Sequence, residues 1–158
     1  MFEEFAGLPL HPLVIHAAVV FLPLTVLTAV VFAVVPRWRW ALRWPLMAGA
    51  LISLSSTFVA KQSGEALLAS RGSPDFVAEH QAAGNLLIWF VVGFTVLVVL
   101  AVFVLGGRTR IAGGKDRPGA ATPIQIVVAV LLVIAALGTG YQTVVTGDEG
   151  ARATWGAG

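Results

Sequence analysis

Four long apolar runs, Leu13 to Val35, Trp44 to Ala60, Leu86 to Leu105 and Ile124 to Val145, constrain this chain more than any other feature. A hydrocarbon core about 30 Å thick takes roughly 20 residues of helix, so each run is close to the length of one crossing. The chain has 158 residues, 58% hydrophobic and 11% charged, where an ordinary soluble domain carries about 25% charged residues. Four crossings with short connections therefore use up the chain. The expected fold is an all-α integral membrane protein, a single four-helix up-down bundle over residues 1–158 with helices near 12–35, 42–66, 74–105 and 123–146. Neither sustained strand alternation nor an internal repeat is visible in the sequence.

Proline and polar residues punctuate these runs. His11-Pro12 opens the first, where proline is tolerated in a first helical turn, Pro23 is expected to bend it and Pro36 stops it. The second run continues into the more polar Lys61-Gln-Ser-Gly-Glu65 and reads as one helix emerging from the bilayer. Ser73-Pro74-Asp75 and Thr122-Pro123 look like the starts of the third and fourth helices.

Charge gives the orientation. Arg37, Arg39, Arg43, Arg108, Arg110, Lys115 and Arg117 fall in the loops after the first and third runs, whereas Lys61, Arg71 and Arg152 fall on the other side. By the excess of basic residues in cytoplasmic loops, both termini and the 61–79 connection are expected to face outward, with Trp38, Trp40 and Trp44 in the inner interface. A net charge of +2 that is split between membrane loops gives no reason to expect nucleic acid as a partner. The acidic start, Met1-Phe-Glu-Glu, is unlike a cleavable signal, so the first segment is expected to stay.

With no cysteine in the chain, disulfides, thiolate metal sites, iron-sulfur clusters and covalent c-type haem are all excluded. The remaining donors of interest are His11, His16 and His80, all on the outward side of this topology. Ionisable groups at membrane depth are costly and mark function by default. His11 and His16 are five residues apart, roughly 140° around a helix, so they do not serve one centre from one regular helix. His16 lies deeper and is the better inward ligand, while Gly84, four residues beyond His80, leaves room for a flat group on the same face. In a sequential antiparallel bundle the first and third helices are diagonal, at roughly 12–14 Å, and two imidazoles from opposite corners reach one haem iron. Simpler roles stand beside these: an interfacial imidazole bonded to a carbonyl, and Tyr141 as an interfacial anchor.

Ser53, Thr57, Lys61 and Glu65 form an i, i+4 polar stripe on the second helix. Its hydroxyls suit interhelical hydrogen bonds, and Lys61 and Glu65 suit mutual pairing, haem propionates or a metal. On the fourth helix Ala136, Gly140, Thr143 and Gly147 make a small-residue face suited to close packing. The Thr146–Trp155 tail is expected to lie with the Lys61–Glu65 segment as an outer cap over the histidines.

Leu8-Pro-Leu-His-Pro-Leu-Val-Ile-His16, Ala60-Lys-Gln-Ser-Gly-Glu65-Ala, Glu79-His80-Gln-Ala-Ala-Gly84 and Thr146-Gly-Asp-Glu-Gly-Ala-Arg-Ala-Thr-Trp155 together resemble the bacterial membrane-protein family called domain of unknown function 2231. The ending is similar to its actinobacterial branch. The resemblance spans nearly the whole chain and implies a multi-pass protein of the bacterial plasma membrane. Fusion of some relatives to Rieske-type domains implies a redox setting, with a separate redox protein or a larger respiratory complex as the partner.

Three functions fit these residues. The leading one is an electron-transfer protein holding one haem b near the outer face, with His16 and His80 as axial ligands, Gly84 beside the ring, and Lys61 and Arg152 on the propionates. The second is a copper or zinc site built from two or three of His11, His16 and His80 with Glu65 or Glu79. The third is a cofactor-free accessory subunit of a larger membrane complex. A stand-alone enzyme has less support, because Gly113-Gly-Lys-Asp-Arg-Pro-Gly119 lacks the spacing of a phosphate-binding loop.

Overall fold

A computed structural model describes residues 4–5, 8–71, 77–105 and 122–155. Four helices dominate: α1 (Leu10–Val34), α2 (Arg39–Arg71), α3 (Ala78–Leu105) and α4 (Pro123–Trp155). Four stretches are long and apolar enough to cross a membrane: Val14–Val34 in α1, Pro36–Ala69 running through the turn ahead of α2 and most of α2, Ala78–Leu105 in α3 and Pro123–Ala153 in α4. Ahead of α1, Glu4–Phe5 (β1) pairs antiparallel with Leu8–Pro9 (β2). Two residues per strand are too few to show alternation, so they leave no sign in the sequence. The expected helix start at Ser73-Pro74-Asp75 and the basic connection 106–121 lie outside the described residues.

The helices pack as an up-down bundle. α1 lies against α2 and α4, and α3 against α4 and α2, which leaves α1 and α3 diagonal. Pro36 cannot continue α1, and a single 3-10 turn, Pro36–Trp38, carries the chain into α2. Arg39 secures that turn by donating from Nε to the Phe32 carbonyl at 3.0 Å and from Nη2 to the Ala33 carbonyl at 2.7 Å, so last-turn carbonyls of α1 gain partners. Trp38, Trp40 and Trp44 are exposed at this end, and Arg37 and Arg43 stack on Trp38 and Trp44 with centroid distances of 5.7 and 4.9 Å. Pro23 sits inside α1, which continues through it as helix.

The interior divides into an apolar and a polar half. Toward the α1–α2 turn, Ala29, Phe32, Ala33, Leu46, Ala50, Phe94, Val98, Ala101, Leu132 and Ala136 form one buried cluster. Toward the end that carries the termini, the buried positions of α2 and α4 become Ser53, Ser56, Thr57, Ser63, Thr139 and Gln142. Apolar surface faces outward instead: Val19, Leu27, Trp89, Phe103, Ile134 and Val144 are among the exposed residues. In lipid this inversion costs nothing for the apolar groups, while hydroxyls and amides gain by finding partners inside the bundle.

α2 and α4 both extend beyond their apolar runs, to Arg71 and Trp155. The Lys61–Glu65 and Thr146–Trp155 segments are therefore rigid continuations of membrane helices. They stand beside the histidines as walls, where a separate cap had been expected.

Candidate two-histidine site

His11, in the first turn of α1, and His80, in the first turn of α3, both reach sideways onto the following helix. The Nδ1 of His11 lies 2.8 Å from the Ala60 carbonyl oxygen and 3.2 Å from the Ser63 hydroxyl, and Ser63 itself donates to the same carbonyl at 3.0 Å. The Nδ1 of His80 lies 3.1 Å from the Thr146 carbonyl oxygen. A carbonyl has no hydrogen to give, so in both bonds Nδ1–H donates and the neutral ring keeps its lone pair on Nε2. That is how metal-ligating histidines are commonly oriented, with the distal nitrogen freed by a bond from the other.

A glycine lies against each ring. A Cβ at Gly64 would stand 2.9 Å from Cε1 of His11, and a Cβ at Gly150 would stand 3.0 Å from Cε1 of His80. Any larger residue at these two positions would displace an imidazole. Below His80, α3 and α4 are stitched together by Gln142 Nε2 and the Thr146 hydroxyl, which donate to the Ala83 carbonyl at 3.2 and 3.3 Å.

Burial pushes the His11 imidazole below its ordinary pKa of 6.5; the bond to Ala60 opposes this and the nearby charge of His80 adds to it. A lowered folded-state value means that the stability tied to neutral His11 is fully present above the unfolded value and is lost as pH falls through the folded one. Because the ring is only partly buried, solvent reduces the size of this effect. Between pH 7.5 and 5 in detergent, the wild-type melting temperature is expected to fall more than that of a His11→Gln variant. Parallel pH profiles for the two proteins would show that His11 carries no such linkage.

The other expected site residues are placed differently. His16 lies on an exposed part of α1, whereas the charge of His80 contributes to lowering the His11 pKa. Gly84 is half-buried, and a Cβ there would meet nothing within 4 Å. Lys61 is already paired with Glu65 along α2, and Arg152 with Asp148 along α4 at 2.9 Å. Glu79 is exposed on the first turn of α3. Among the described residues no group of three or more His, Asp or Glu converges as a metal site. Five residues apart on α1, His11 and His16 lie on different faces of that helix. Ala60, Ser63, Gly64, Thr146 and Gly150 went unnoticed as partners of the histidines, because a backbone carbonyl leaves no trace in residue identity.

The model of a family of predicted membrane proteins, DUF2231, matches residues 7–158. The chain belongs to this family. No curated protein and no solved structure matches it. With four helices able to span, the DUF2231 chain is a multi-pass membrane protein that sits in the lipid bilayer.

Proposed function

We propose that this DUF2231 protein is an electron carrier that holds one haem b between the imidazoles of His11 and His80, at the end of the bundle where its termini lie. The observation that carries the reading is the matched pair of anchored rings, each with Nδ1 committed to a carbonyl of the next helix and Nε2 left as a donor atom. One haem iron needs two such donors, and a saturated iron passes electrons without offering a place for substrate. The donor set fits that group: two neutral imidazoles from diagonal helices, with no thiolate in the chain.

The chain's own residues supply position and electrostatics. Ala60, Ser63 and Thr146 hold the rings, and Gly64 and Gly150 let them lie against the neighbouring helix. Lys61 is the base nearest in sequence to the Ala60 anchor, and its pair with Glu65 is half-exposed, where exchange onto a propionate costs little. An electron partner is a separate protein or a larger complex in this reading. Two-imidazole ligation favours haem over a closed zinc or copper site, which calls for three or four protein ligands.

The test is the visible spectrum of the full-length protein purified after expression with ample haem. A low-spin b-type spectrum near one haem per chain is expected. A colourless protein rules the reading out, and metal analysis of the same sample then separates a copper or zinc protein from a cofactor-free accessory subunit.

A further inference from the structure

The two histidine sites share more than their residue type. Aligning α3 with α1 so that His80 meets His11, and α4 with α2 so that Thr146 meets Ala60, brings Gly150 onto Gly64. The same alignment pairs the interior positions. On α2 and α4 it matches Leu46 with Leu132, Ala50 with Ala136 and Ser53 with Thr139, all wholly buried, and Ser56 with Gln142. On α1 and α3 it matches Leu22 with Val91, Thr25 with Phe94, Ala29 with Val98, Phe32 with Ala101 and Ala33 with Val102, again all buried. Among the described residues, every buried residue of α1 thus lands on a buried residue of α3.

Hydrogen bonds follow the same plan. At the start of α2, Arg39 reaches back to carbonyls in the last turn of α1; at the start of α4, Gln125 reaches back to the Val104 carbonyl at the end of α3, at 3.3 Å. Identical residues are few in the alignment, such as Phe21 with Phe90, Thr57 with Thr143, Val59 with Val145 and Gly64 with Gly150. That scarcity hid the repeat from the sequence. α1 and α3 are diagonal, as a two-fold axis along the bundle requires.

We infer that the chain is a tandem repeat of one helical hairpin, and that each hairpin carries an equal half of a single two-imidazole centre: His11, the Ala60 carbonyl and Gly64 from the first, His80, the Thr146 carbonyl and Gly150 from the second. The centre lies on the axis relating the halves, so its two ligands are equivalent in anchor, tautomer and packing. His16 has no part in it, since its counterpart in the second hairpin is Asn85. This goes beyond the haem reading and does not depend on it: any group taken by the centre must accept two imidazole nitrogens presented alike.

The absence of native cysteine makes convergence directly measurable. In native membranes, full-length H11C/H80C and H16C/H80C variants are treated with a bifunctional thiol reagent spanning about 8 Å, and intramolecular crosslinking is read by mass spectrometry. The first pair is expected to crosslink at least about tenfold faster than the second. Equal rates, or the reverse order, overturn the inference.

Equivalence is read on the otherwise native chain labelled with 15N-histidine. Both His11 and His80 should show the Nδ1–H tautomer, with Gly64→Ala moving the His11 signals, Gly150→Ala moving those of His80 by a similar amount, and neither moving His16. A single anchored ring, or a glycine effect on one side only, overturns the repeat of the site even if the cysteine variants fail to accumulate. Neither readout needs haem. A colourless protein that passes both loses the electron-carrier reading and keeps the two-fold centre; a haem protein that crosslinks through position 16 does the opposite.

Discussion

Replacing either His11 or His80 with alanine is expected to abolish the low-spin spectrum of the haem-loaded protein, and to do so to the same extent. In the proposed site each hairpin contributes one imidazole, His11 or His80, held through Nδ1 by a carbonyl of the next helix and offering Nε2. Loss of one leaves an iron with a single protein ligand, which is high-spin or is lost altogether. The His16→Ala change should leave the spectrum in place, because His16 lies on an exposed part of α1, roughly 140° around the helix from His11. Externally added imidazole supplies the check that separates ligation from folding: it should restore the low-spin form in the His11→Gly and His80→Gly variants. A normal spectrum in His11→Ala together with a lost one in His16→Ala would return the ligand role to His16.

The fold is legible in the sequence and the surroundings of the histidines are not, for different physical reasons. Lipid demands that every spanning segment be a long apolar helix, so hydropathy and Pro36, Pro74 and Pro123 mark the four helices on the sequence alone. Diagonal placement of α1 and α3 follows from short connections. The ligands depend on something else. Depth within the apolar run points to His16, whereas the proposal of His11 rests on a carbonyl at Ala60 and an opening at Gly64 on another helix, and both are properties of packing. Gly64 and Gly150 sit inside the very segments that carry the family resemblance, Ala60-Lys-Gln-Ser-Gly-Glu65-Ala and Thr146-Gly-Asp-Glu-Gly-Ala. Their meaning emerges only when each is seen against an imidazole. The inferred repeat is illegible in the sequence for a related reason: burial recurs at the aligned positions while residue identity does not, as Ser53 with Thr139 and Phe32 with Ala101 illustrate.

The hairpin that carries His11 is locked by a contact deeper in the bilayer, and breaking it should have the largest effect on stability. At Gly49 a Cβ would stand 2.6 Å from Oγ1 of Thr25 and 3.5 Å from its Cβ and Cγ2. Thr25 is buried and cannot swing away freely, since its hydroxyl donates to the Phe21 carbonyl at 2.7 Å and lies 3.3 Å from the Ser53 hydroxyl. Gly49 thus lets α1 and α2 cross with their backbones close, where dispersion and hydrogen bonds hold membrane helices together. Exchanging glycine for leucine in a helix is favourable by up to about 1 kcal/mol through propensity alone, whereas overpacking a fitted interior costs about 1–3 kcal/mol or more. At Gly49 a leucine adds several methylenes to a contact already closed at the first carbon, so the packing cost should win by about 2 kcal/mol. Gly93 is the control, because a Cβ there meets nothing within 4 Å and the position faces outward, leaving propensity as the main term. Thermal unfolding in detergent should therefore show Gly49→Leu strongly destabilised, with weakened retention of any group held by His11, and Gly93→Leu unchanged or more stable. Equal behaviour of the two variants would mean that the close crossing of α1 and α2 at Thr25 does not hold this hairpin together.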